Sequence, residues 1–77
     1  MPRFYFDIDK GQKLVVDPVG FDHADRRAAK NEAIRMLGRI AVGLPPGVNQ
    51  RVLSARIREG DRVVFRGTLS LDEDWRE

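Results

Sequence analysis

Met1-Pro2-Arg3-Phe4-Tyr5-Phe6-Asp7-Ile8-Asp9 alternates with a period of two. Phe4, Phe6 and Ile8 point one way; Arg3, Tyr5, Asp7 and Asp9 point the other. Strict alternation rich in aromatic residues is the pattern of a strand with one buried face. Residues 3–9 are therefore predicted to form a strand, and the N-terminus to belong to the core. Pro2 fits at the start, where no ladder donor is needed. A strand beginning at residue 3 is expected to leave no room for a signal peptide ahead of it.

Working outward, Asp9-Lys10-Gly11-Gln12 reads as a turn. Leu14-Val15-Val16 reads as a short second strand with Leu14 and Val16 inward. Asp17-Pro18-Val19-Gly20 has the residue order of a type I turn. A helix is predicted over 25–42, capped by Asp22 or Asp25. Ala29, Ala33, Met36, Leu37 and Ile40 fall on one of its faces at spacings of three and four. Gly43 and Pro45-Pro46 end it, and a loop follows over 44–50. Residues 52–59 form a third strand with Leu53, Ala55 and Ile57 inward. Residues 62–71 form a fourth with Val63, Phe65, Leu69 and Leu71 inward. Parity constrains the connection at Gly60-Asp61. A two-residue turn would pair Ile57 with Val64 and put Phe65 on the wrong side. A three-residue connection or a bulge at Gly60 is therefore expected, pairing Ile57 with Phe65. The order ββαββ predicts an α+β two-layer sandwich, with one amphipathic helix on a mainly antiparallel four-stranded sheet. The other sheet face is left to water or a partner.

The chain has 77 residues and no cysteine, which suits one small domain without disulfides or thiolate metal sites. No apolar run approaches the roughly 20 residues of a membrane helix. Together these features predict a cytoplasmic protein with no membrane association. The formal net charge is +2, but the last six residues, 72–77, carry −3, leaving +5 on the body. This acidic tail is expected to fold back on the basic helix surface, with Trp75 anchored over the core.

No catalytic constellation emerges. His23 is the only histidine, and its acidic neighbours read as helix caps. Asp7, Asp9 and Asp17 lack the Asp-x-Asp-x-Asp-Gly loop of a calcium site. Ser54 and Ser70 have no activating context. Neither enzymatic activity nor a cofactor is expected. The outer sheet face carries more information. It is predicted to present Arg3, Tyr5, Lys13, Val15, Val52, Arg56, Arg58, Val64, Arg66 and Thr68. Exposed apolar groups beside Arg and Tyr suit a protein interface. The candidate interaction surface is Arg3, Tyr5, Val52, Arg56, Arg58, Val64 and Arg66. Self-association as a homodimer, through this face or a strand edge, is the leading expectation, with another protein as the further partner. Nucleic acid, bound by Arg3, Arg56, Arg58 and Arg66, is the alternative but not the favoured partner.

The opening Met-Pro-Arg-Phe-Tyr-Phe-Asp-Ile, then Lys10-Gly11, Asp17-x-x-Gly20 and Ala28-Ala29-x-x-Glu32-Ala33, resemble a family of small uncharacterised bacterial proteins. That family is abundant in rhizobia and other alphaproteobacteria and is known as a domain of unknown function. The resemblance covers nearly the full chain. Ile57-Arg58-Glu59-Gly60-Asp61 departs from the family's Val-Arg-Asp-Glu-x-Gly pattern by being one residue shorter. The resemblance implies the fold and a bacterial cytoplasm, and it carries no site residues. The hairpin-then-helix order is also similar to that of HicB-type antitoxins, whose partial RNase-like domain binds a small toxin; this is an analogy of fold.

Overall fold

The computed structural model describes residues 2–11, 13–43, 50–72 and 75, with backbone alone for 50 and 51. It is an α+β structure with one helix and an open antiparallel sheet. The elements are β1 (Arg3–Asp9), β2 (Leu14–Val15), β3 (Phe21–Asp22), α1 (Arg26–Val42), β4 (Gln50–Glu59) and β5 (Arg62–Asp72). The sheet order is β2-β1-β4-β5, and β3 adds a fifth short strand pairing with β1.

β1 is central because its alternation supplies one whole face of the core. Phe4, Phe6 and Ile8 are buried, as are Leu53, Ala55 and Ile57 of β4, with Ile57 opposite Phe6 and Ala55 opposite Ile8 across the ladder. α1 lies over this face through Ala29, Ala33 and Leu37. Ala29 and Ala33 are fully buried, and their small side chains let the helix sit close to the aromatic rings. Met36, Ile40, Val64 and Phe65 pack around the margin. Asp25 is the cap that forms, its Oδ1 accepting from the Ala28 amide at 2.8 Å. Asp22 serves elsewhere, in an ion pair with Arg3.

The β1–β2 connection reverses one expectation. The pairs Ile8↔Val15 and Asp9↔Leu14 put Val15 on the inner side and Leu14 on the outer. The loop between Asp9 and Leu14 is four residues long, and its length sets that parity. Leu14, Val15 and Val16 all stay largely exposed, because this edge lies beyond the cover of α1.

Further along, β3 pairs Phe4 with Phe21 and Arg3 with Asp22. The β1 backbone groups it meets have the parity of Phe6, whose amide faces the segment after β2. β2 and β3 therefore share one edge of β1, separated by a two-residue slip in register. Two apolar-polar positions between a turn and a helix cap are too short for any periodicity, so β3 escapes a reading of the sequence.

Ile57 pairs with Phe65 as expected, but the extra residue sits elsewhere. Glu59 pairs with Arg62 across a two-residue turn, and the register shifts between Ile57 and Arg58. The bulge therefore falls at Val64 rather than at Gly60. It turns Val64 inward to pack on the core and leaves Val63 opposite Arg58 on the outer face. β4 begins at Gln50, two residues before the expected start. Of the loop expected over 44–50, Gln50 belongs to β4 and residues 44–49 lie outside the described residues, as do 73, 74, 76 and 77. Trp75 is not anchored over the core: it is 97% exposed. Among the described residues no helix is long and apolar enough to cross a membrane.

Candidate interaction surface

The outer sheet face is organised around Asp7. Its side chain is fully buried although it points away from the hydrophobic core. Burying a carboxylate is costly unless it is paired and hydrogen-bonded. Here Oδ2 accepts from Arg56 Nε at 2.8 Å and from Arg58 Nε at 2.7 Å. Oδ1 accepts from Arg58 Nη2 at 3.1 Å and from the Asp17 amide at 3.0 Å. Strand pairing makes this possible: Asp7 is opposite Arg56, and Tyr5 is opposite Arg58. Burial works to raise the Asp7 pKa, but hydrogen bonds from Arg58, Arg56 and the Asp17 amide overcome it and hold the value at about 2.

Asp17 repairs the gap between β2 and β3. Its Oδ2 accepts from the Phe6 amide at 3.1 Å, where a neighbouring strand would otherwise supply a carbonyl. Its Oδ1 accepts from the Val19 and Gly20 amides, each at 3.0 Å. Burial raises the Asp17 pKa, and these three amides bring it below the ordinary carboxylate value, with Asp7 opposing. Arg58 Nη2 also donates to the Asp17 carbonyl at 3.2 Å, fastening the loop to the sheet.

Gly20 seals this loop. Its φ is +79°, and a Cβ there would lie 2.9 Å from both Arg3 Cγ and Tyr5 Cε2. Arg3 lies along the same loop, donating to Asp22 at 3.2 Å and to the Val19 carbonyl at 2.9 Å. Arg58 is stacked over the Tyr5 ring, 5.1 Å from its centroid, a cation–π arrangement.

The candidate residues therefore divide. Arg3, Tyr5, Arg56 and Arg58 are brought together, but as parts of an internally paired structure. Val52 lies farther along β4, opposite Ser70 and exposed. Val64 belongs to the core margin. Arg66 is exposed opposite Arg56 and, of the four outer-face arginines, is the one without an ion pair among the described residues. A polar groove of about 200 Å³ runs past Asp9, Leu14, Ser54, Arg56 and Arg66. The Ser54 hydroxyl at its wall meets the Thr68 hydroxyl at 3.2 Å. Among the described residues no group of three His, Cys, Asp or Glu side chains is placed to hold a metal ion.

Asp7 and Asp17 are the residues whose roles the sequence concealed. Each belongs to a different pattern, a strand and a turn, and only the fold joins them to Arg56 and Arg58. A model of the domain of unknown function DUF6894 matches residues 3–70, which hold β1 to β4, the helix and most of β5. The chain belongs to the DUF6894 family. The matched span of the DUF6894 domain ends within β5, so Trp75 lies beyond it. No curated protein matches this chain, and no solved structure does.

The two edges of the DUF6894 sheet differ. The β2/β3 edge is short, interrupted and stitched by Asp17. The β5 edge runs from Arg62 to Asp72, and among the described residues no strand pairs with its outer side. Long unpaired edges are templates for pairing unless blunted by proline, bulges or charge. β5 has a bulge at Val64 and an outward charge at Arg66, but no proline and no inward charge from Phe65 to Leu71, where it runs regularly. Leu69 and Leu71 face the helix side of the sheet yet are 38% and 40% exposed, because α1 sits over β4 instead.

Proposed function

We propose that this is a non-enzymatic bacterial cytoplasmic protein that works through protein contacts and self-associates through β5. The observation that carries the reading is the long unpaired edge with its uncovered leucines. β5 is self-complementary when two copies meet antiparallel about Gly67. Phe65 then meets Leu69 of the second copy on the inner side, and Arg66 meets Thr68 on the outer. The basic Arg62 end lies over the acidic Asp72 end. The product is one continuous sheet with both helices on the same face, a closed twofold pairing. The interrupted β2/β3 edge offers no second site for strand addition.

The paired state of the outer face supports this reading over nucleic-acid binding. Asp22 pairs with Arg3 and Asp7 with both Arg56 and Arg58, so three of the arginines are engaged within the fold rather than free to reach for phosphate.

Light scattering at micromolar concentration is expected to give about twice the 8.8 kDa chain mass. Leu69→Lys should give a monomer with an unchanged circular dichroism spectrum, because the lysine reaches water in one copy but is trapped in the pair. A wild-type chain that remains monomeric at these concentrations overturns the proposal.

A further inference from the structure

Arg66 is exposed on β5 and stands directly opposite Arg56 of β4. Like charges directly opposite one another destabilise a sheet. Asp7 offsets only part of this. It accepts from the Nε of Arg56 at 2.8 Å, leaves both Nη groups of that side chain aside, and shares its carboxylate with Arg58. Residues 52–58 and 63–70 include no acid, so arginine is the only charged residue in these stretches of β4 and β5. Asp7 and Asp9 both stand on β1, two strand spacings or about 10 Å from β5, and Asp9 Oδ1 is turned to the Gly11 amide at 2.8 Å. Beside the arginine pair, the Ser54 and Thr68 hydroxyls meet at 3.2 Å. Whichever of them donates, the other keeps its own O–H for a ligand.

Pairing of two copies about Gly67 doubles this arrangement. Arg66 of each copy then lies opposite Thr68 of the other. The two Arg66 positions become diagonal neighbours, roughly 7–8 Å apart on one face of the sheet, with Arg56 flanking each. Two guanidinium groups from each copy surround the twofold axis, with hydroxyls between them and every outer-face carboxylate held back on β1 or beyond. Guanidinium groups match oxyanions through paired N–H donors.

We infer that this composite patch binds a small polyvalent oxyanion of the diphosphate class, one phosphoryl group to each copy. The site rests on the β5 pairing proposed for this protein, because a single chain holds only half of it. The bound anion bridges the arginines that otherwise repel across the axis, so it strengthens the pairing.

Light scattering over a dilution series locates the midpoint of dimer formation in sodium chloride and in sodium pyrophosphate of equal ionic strength. An anion that binds only the pair lowers that midpoint, by roughly tenfold at about ten times its own dissociation constant. Phosphorus-31 line broadening of pyrophosphate reads the binding directly. Broadening is expected with wild type and should be lost in Leu69→Lys, a monomer that carries one more cation. Arg66→Gln should still pair, with one midpoint in both salts and no broadening. A dimer whose wild-type midpoint is the same in both salts overturns the inference and leaves β5 pairing standing. So does broadening that persists in Leu69→Lys, or a salt response that survives Arg66→Gln. A single-stranded oligodeoxynucleotide that binds more tightly than pyrophosphate at equal phosphate concentration assigns the patch to nucleic acid and overturns it as well. A chain that is monomeric in both salts removes the pairing and this site together.

Discussion

Replacing Asp7 by Asn would keep the shape of the side chain and leave two guanidinium groups facing a neutral amide. Removing one partner of a buried ion pair costs about 3–5 kcal/mol, so Asp7→Asn should lower the urea midpoint severely. The wild-type group also sets an acid limit. Its pKa falls from 3.8 to about 2 on folding, so its stabilisation is complete above about pH 4 and is lost as pH falls toward 2. Asp7 alone contributes about 2 kcal/mol to that limb, and Asp17, lowered in the same direction, adds to it. Urea midpoints measured between pH 6 and pH 2 should show the decline. At Gly20 the limit is steric. Gly20→Ala forces a Cβ into Arg3 and Tyr5 at a positive φ, and should destabilise by about 1–3 kcal/mol in the same assay.

At the scale of elements, α1 begins where Asp25 turns the chain. Asp25→Ala should cost about 1 kcal/mol, read as a lower thermal midpoint with helix content retained at low temperature. The helix, β1 and β4 were legible in the sequence because each has a long apolar face with a clear period. The pairing of Ile57 with Phe65 was legible from parity alone. The position of the bulge was not, since Gly60 and Val64 satisfy the same parity and only packing of Val64 against the core selects between them. The faces of Leu14 and Val15 depended on loop length, which composition does not fix. The Asp7 cluster was hidden for a different reason. An aspartate on a polar face looks solvated until the partners opposite it are known, and Arg56 and Arg58 lie 49 and 51 residues away.

The whole molecule is long and thin. Its extents are 52 × 22 × 17 Å and its radius of gyration is 14.0 Å, against about 11.5 Å for a compact chain of this length. β5, eleven residues and roughly 36 Å long at strand spacing, outreaches the 17-residue helix that covers the sheet, roughly 25 Å long. Side-by-side pairing through β5 would widen the particle, so X-ray scattering should give a radius of gyration well above 14.0 Å for wild type and a return toward it for Leu69→Lys. Central placement of β1 also has a temporal consequence. Translation delivers β1 first, but its principal partner β4 begins at Gln50. Until then β1 has only the two-residue strands β2 and β3 beside it, and Asp7 lacks both Arg56 and Arg58. Contacts of such sequence separation close slowly. The sheet therefore closes only after β4 has been made, and β1, the first strand of the domain, waits longest for its principal partner.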